Sequence, residues 1–201
     1  MELKESASYV SRRSAIGRVA AMATALFGVR ANAQQTAPKA ARWDATMEVA
    51  VEIELAATDD FRARRPYVAV WVEDKDAKSI KTLSLWVQNT GRGGRWIPDL
   101  RRWYRGGEAV YKSGGPDLII TMSSATRNPG KYSLLWDGKD NKGALVTQGT
   151  YTVYLESARE HGPYTLLKKE ITIGPKTFKE TVAGSADIKG ATVEYRKHRQ
   201  A

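Results

Sequence analysis

The stretch Met47-Glu-Val-Ala-Val-Glu-Ile-Glu-Leu55 carries an apolar residue at every odd position, with glutamates or alanine between them. A period of two fits the pleat of a β-strand and fits no helix, whose faces recur every 3.6 residues. One face is apolar and the other acidic, as in a half-buried antiparallel strand. Pro66-Tyr-Val-Ala-Val-Trp-Val-Glu73 is a second strand, rich in β-branched and aromatic residues. A turn over Asp74-Lys-Asp-Ala-Lys78 leads into Ile80–Val87, so these two runs predict a hairpin. Tyr132–Trp136, Thr150–Glu156, Tyr164–Ile173 and Thr181–Tyr195 supply the remaining strands. About seven short strands separated by turn residues predict an all-β fold, an immunoglobulin-like antiparallel β-sandwich.

One segment breaks the period. From Pro98 to Tyr111 the spacing of Leu100, Trp103 and Tyr104 is helical, with Pro98 at a first helical position. Gly106-Gly107 weakens the second half of this element. The expectation is one short helix inserted between strands, with Arg101, Arg102 and Arg105 largely on its outer side.

The ends set the context. Arg12-Arg13, an Ala-rich apolar run from Val19 to Val29, and Ala31-Asn32-Ala33 read as an export signal over residues 1–33. A signal anchor is the alternative, but the run is shorter than the roughly 20 residues that a membrane span needs. The arginine pair suggests the twin-arginine route, with general export as the alternative. Residues 34–42 read as a linker, 43–195 as the sandwich domain and 196–201 as a frayed basic tail. Loss of the signal lowers the formal charge from +10 to +7. That charge is scattered over Arg62, Arg64 and Arg65, over Arg101, Arg102 and Arg105, and over the tail. In an exported chain it favours solubility, anionic headgroups or an acidic partner over nucleic acid.

No cysteine is present, which excludes disulfides, cysteine-ligated metals, covalent c-type haem and a lipidated cysteine. Of the two histidines, His161 lies in the turn Arg159-Glu-His-Gly-Pro163 beside Glu160, the one weak metal candidate, and His198 lies in the tail. There is no G-x-S-x-G elbow and no phosphate-binding glycine loop. Gly91-Arg-Gly-Gly94 reads as a flexible turn. Among Trp71, Trp86, Trp96, Trp103 and Trp136, core roles are the default. The stretch from Trp96 to Trp103 differs because arginines alternate with its aromatics, a mix suited to a planar anion or to a solvated helix with one buried face.

Several strings together resemble a bacterial exported family, the domain-of-unknown-function family 2271. They are Pro66–Asp74, Thr82–Trp86, Arg95-Trp-Ile-Pro-Asp-Leu-Arg-Arg-Trp-Tyr104, Ser123–Gly138 and Gly149–Gly162. The stretch from Trp136 to Leu155 is also similar to the immunoglobulin-like module of flagellar hook-cap proteins, a likeness that bears on fold alone. The family resemblance implies a periplasmic protein associated with membrane PepSY-type proteins and with a transferase that attaches FMN to threonine. The transferase's acceptor pattern is Asp-x-x-[Ser/Thr]-Gly-Ala-[Thr/Ser]. Here Ser123-Ser124-Ala125-Thr126 keeps the hydroxyl, the alanine and the final threonine, while Ser124 replaces the glycine and Ile120 the aspartate. The resemblance therefore implies covalent FMN on Thr126, with Arg102, Trp103, Tyr104 and Arg127 available to stack on the flavin and balance its charge. On this reading the protein is a redox carrier more than an enzyme with its own substrate. The alternatives are a cofactor-free adhesion or assembly module and a metal- or haem-handling protein using His161.

Overall fold

The computed structural model describes residues 41–57 and 64–199. The export signal, nearly all of the linker and the last two residues lie outside the described residues. The strands are β1 (Met47–Leu55), β2 (Tyr67–Asp74), β3 (Ser79–Trp86), β4 (Ser123–Ser124), β5 (Gly130–Trp136), β6 (Gly149–Ala158), β7 (Tyr164–Ile173), β8 (Phe178–Ser185) and β9 (Ile188–Lys197). They form a four-stranded sheet in the order β5-β1-β9-β8 and a five-stranded sheet in the order β4-β3-β2-β6-β7. Every pairing is antiparallel except the two-residue contact of β3 with β4. The antiparallel sandwich expected from the alternating patterns is therefore present, with nine strands among the described residues where about seven were read.

The inner faces carry the apolar residues that the period-two reading selected. Val49, Val51 and Ile53 of β1 and Val193 and Tyr195 of β9 pack against Val68, Val70 and Val72 of β2 and Val153 and Leu155 of β6. Burial of each such side chain is worth about 1.5–3 kcal/mol. At one end Trp43 closes the core. Its ring lies 4.8 Å from Trp136 and 5.6 Å from Tyr195, and its indole N–H donates to the Met47 carbonyl at 3.0 Å. A side chain at Gly138, whose φ is +74°, would overlap that indole. Arg42, read as the last linker residue, bridges Thr147, and Trp43 donates to the Val146 carbonyl at 3.0 Å.

The outer face of the five-stranded sheet is also dry, and a helical layer is the reason. A 3-10 segment, Gly93–Asp99, leads into α1 (Arg101–Lys112) and then α2 (Leu118–Met122). Ile97, Leu100, Trp103 and Leu118 pack on Ala69, Trp71, Leu85 and Tyr154, so the domain has three layers. This corrects the helix read from Pro98 to Tyr111. Pro98 sits inside the 3-10 segment, the α-helix starts at Arg101, and Gly106-Gly107 does not end it. Tertiary docking of Trp103 outweighs the glycine penalty of about 1 kcal/mol each.

The basic tail is also shorter than expected. Arg196 lies within β9, its Nε donating to Glu48 at 2.9 Å and its Nη1 to Glu194 at 3.0 Å. His198 lies 3.1 Å from Glu48, and its backbone N–H donates to the Thr46 carbonyl at 2.9 Å. Glu48 belongs to the acidic face of β1 but is buried under these two partners.

Candidate functional site

The string Arg101-Arg-Trp-Tyr104 is held by two buried carboxylates from the sheet beneath it. Glu156 of β6 is fully buried, and its oxygens accept the backbone N–H groups of Arg102 at 2.9 Å and Trp103 at 2.8 Å. These are first-turn donors that no helical carbonyl can satisfy, and a carboxylate there also meets the positive end of the helix dipole. The Tyr164 hydroxyl donates to the same carboxylate at 2.6 Å. Burial, and then this bond, push the Tyr164 phenol up to about 12. Glu73 of β2 accepts from Trp71 Nε1 at 2.9 Å and from Arg102 Nη2 at 2.6 Å and Nε at 3.2 Å. The Arg102 guanidinium also lies over the Tyr154 ring, 4.3 Å from its centroid, and the bond to Glu73 raises its pKa further. Trp103 is 2% exposed, its indole N–H donating to Thr82 Oγ1 at 3.1 Å. Arg102 and Trp103 thus fasten the helical layer to the sheet. Tyr104 packs at the edge of that layer, lining a small cleft of about 160 Å³ with Tyr111 and Leu118.

The Ser-Ser-Ala-Thr segment begins inside the sheet. Ser123 and Ser124 form β4, paired in parallel with Leu85 and Trp86 at the edge of β3, and the Ser124 carbonyl accepts the Val87 N–H at 2.8 Å. The Ser123 hydroxyl donates to the Ile119 carbonyl at 2.5 Å and the Ser124 hydroxyl reaches the Leu85 carbonyl at 3.4 Å. Ala125 and Thr126 continue beyond the paired residues, Ala125 exposed and Thr126 half-buried. Among the described residues no partner takes up the Thr126 hydroxyl. Ile120, where the acceptor pattern has an aspartate, stands on α2 with 77% of its surface exposed. The acid of this stretch is Asp117, which caps α2 by accepting the N–H groups of Ile119 at 2.9 Å and Ile120 at 3.2 Å.

Thr126 lines a cavity of about 440 Å³ that also receives Arg64, Arg65, Arg92, Arg95 and Arg159. Tyr67, Gln88, Gly93 and Trp96 form much of the remaining wall, and among the described residues Asp99 and Glu160 are its carboxylates. Arg95 lies over the Trp96 ring, 5.1 Å from its centroid. Arg159 is ion-paired with Asp187, both side chains more than nine-tenths buried, while its Nε has no hydrogen-bond partner. Among the described residues no carboxylate pairs with Arg64, Arg65, Arg92 or Arg95. The wall is fixed by Tyr67, whose hydroxyl bonds to the Gly93 carbonyl at 3.0 Å and the Gln88 carbonyl at 3.3 Å. A Cβ at Gly93 would come 2.5 Å from the Gln88 carbonyl oxygen, so the close approach of these turns requires glycine.

The structure thus gathers Thr126 with a different set of cations and aromatics from those expected beside it. Arg102, Trp103 and Tyr104 do not line this cavity. Arg127 turns away to lie 5.7 Å from the Trp86 ring centroid, over its face. Of the stretch from Trp96 to Trp103, in which arginines and aromatics alternate, Trp96 and Asp99 line the cavity while Arg102 and Trp103 are consumed in docking. Arg92 and Arg95 come from just before it, Arg92 from the run read only as a flexible turn. Arg64 and Arg65 were visible only as part of a charge cluster. Tyr67 and Arg159 read as strand and turn residues, and nothing local to them marks a site.

His161, next to Glu160 in the turn after β6, has a φ of +56° and a side chain 85% exposed. Its Nε2 lies 3.9 Å from Glu160 Oε1, and its ring meets Trp96 edge-on at 5.9 Å. Among the described residues no group of three histidine or acidic side chains is arranged to hold a metal ion. None of the described helices is long and apolar enough to cross a membrane.

No curated protein and no solved structure gives a significant match to the chain. Residues 48–190, from β1 into β9, match a family described as predicted periplasmic protein (DUF2271). This span includes both buried carboxylates, the Arg-Arg-Trp-Tyr string and every wall of the Thr126 cavity, and the chain belongs to this periplasmic family.

Proposed function

We propose that the protein is a periplasmic electron-carrier domain with FMN covalently attached to Thr126, working with a membrane-bound PepSY-type partner. The observation that carries this reading is the Thr126 cavity. It combines a half-buried, uncommitted hydroxyl with a tryptophan and a set of guanidinium groups in a volume of about 440 Å³, within the ordinary range of about 300–1,000 Å³ for small-molecule sites. Ser123 and Ser124 are occupied by backbone carbonyls, which leaves Thr126 as the acceptor in the segment. Attachment forms one ester bond between Thr126 Oγ1 and the FMN phosphorus. The hydroxyl proton leaves to solvent, and the leaving group of an activated FMN donor is released by a transferase. Once bound, the flavin supplies one- and two-electron chemistry. The chain's own residues set its position and charge balance: guanidinium groups offer bidentate hydrogen bonds to phosphate, and Trp96 offers a ring face.

The test is the intact mass of protein co-expressed in the periplasm with an FMN transferase. A covalent FMN adduct is expected in the parent and is lost in Thr126→Val. An unmodified mass beside a transferase that flavinylates a known acceptor overturns the proposal and leaves the cofactor-free module.

A further inference from the structure

We propose that the arginine-lined cavity binds an aromatic phosphate monoester non-covalently, before and independently of any bond to Thr126. The inference deepens the proposed carrier function, since it concerns the same cavity, but it does not depend on the ester. Three separate parts of the chain deliver the cations: the approach to β2 brings Arg64 and Arg65, the turn and 3-10 segment after β3 bring Arg92 and Arg95, and the end of β6 brings Arg159. Like charges held together raise the energy of the folded state unless an anion joins them. Among the described residues Asp99 and Glu160 are the carboxylates on the wall and Asp187 pairs with Arg159, so positive charge is in excess there.

A second observation is independent of the count of arginines. Arg159 is a cavity-lining residue with a side chain about nine-tenths buried, and its Nε is shielded from solvent and unpartnered. A buried donor left without an acceptor is unfavourable, and a phosphate oxygen is an acceptor that suits a guanidinium. The volume is larger than inorganic phosphate requires. Trp96, half-buried beneath Arg95, supplies the flat surface on which a ring can rest. Tyr67 keeps the Gly93 turn in place, so the wall is formed in advance of any ligand.

The experiment uses protein made without a transferase, its unmodified mass verified, titrated with FMN while flavin fluorescence is followed. Riboflavin and inorganic phosphate serve as comparison probes. FMN fluorescence should be quenched saturably, riboflavin should bind at least about tenfold more weakly, and phosphate should compete. The double substitution Arg92→Ala, Arg95→Ala should weaken FMN by about tenfold or more, with an unchanged melting temperature. Lys179→Ala, on the far sheet, should leave binding as it was. Absence of FMN binding to the folded protein, equal affinity for riboflavin, or indifference to the double substitution overturns the inference. So does arginine-dependent capture by phosphatidylglycerol vesicles without FMN binding, which would assign the cations to lipid headgroups. Failure of the covalent adduct with intact FMN binding removes only the carrier proposal; an adduct without prior binding removes only this one.

Discussion

Arg95 and Arg102 lie seven residues apart in one string and have opposite surroundings. Arg102 donates to a buried carboxylate, lies over a tyrosine, and belongs to a helix whose first turn is capped by a second buried carboxylate. Arg95 lies over Trp96 at the wall of a cavity, with no acidic partner among the described residues. The lesson is that an arginine beside a tryptophan has two physical uses. Where the sheet sends up an acid, the pair is a fastener. Where it does not, the charge is left for something outside the chain.

That contrast can be broken most forcefully at Glu156. Glu156→Ala leaves two buried helix N–H groups and the Tyr164 hydroxyl without their acceptor, and should destabilise the domain by roughly 3 kcal/mol. Chemical denaturation measures it, and a change below about 0.5 kcal/mol, the level of an ordinary surface substitution, would remove the fastener from the account. Arg102→Ala comes next. It strips Glu73 of its cation while Trp71 remains, and because Arg102 is one-third exposed the expected loss is about 2 kcal/mol rather than the larger cost of a fully buried pair.

A smaller effect comes from alkaline pH. The Tyr164 phenol is raised to about 12 in the folded state because burial and its bond to Glu156 favour the protonated form. The unfolded phenol titrates near 10, so its contribution is fully present below about pH 10 and is lost as pH rises toward about 12. The buried Tyr151, Tyr154 and Tyr195 are shifted in the same direction by burial. The discriminating measurement is therefore the difference between the parent and Tyr164→Phe, whose stability should fall less steeply across that window. The smallest stability effect should be at Arg95: Arg95→Ala should shift unfolding by no more than about 0.5 kcal/mol. A large loss there would show that Arg95 is a fastener too.

The strands were legible because burial on a pleated sheet imposes a period of two on the apolar residues, which Met47, Val49, Val51, Ile53 and Leu55 obey even though Glu48 and Ala50 on the other face are buried as well. Tyr164–Ile173 was readable to its ends for the same reason. The helical layer was half legible. Leu100, Trp103 and Tyr104 gave the right periodicity, but the 3-10 segment has no pattern of its own, and its place follows from Ile97 and Leu100 packing on the sheet. Glu73 and Glu156 entered the sequence reading only as the ends of strands. They are buried because a helix crosses the outer face, a fact that neither strand encodes locally.

The sequence by itself determined the sandwich class and the existence of a crossing helix, which rest on periodicity, while the candidacy of Thr126 is what the family resemblance implies. Only the tertiary structure decided what surrounds that threonine. Arg64, Arg92 and Arg159 are distant in the chain and meet because β3, β2 and β6 are neighbours in one sheet. Strand order is fixed by long-range pairing, in which residues far apart must be brought together before any contact stabilises them. Local residue spacing holds no record of that order, and so the Arg101-Arg-Trp-Tyr104 string anchors the helix while the cavity beside Thr126 is lined by residues from other parts of the chain.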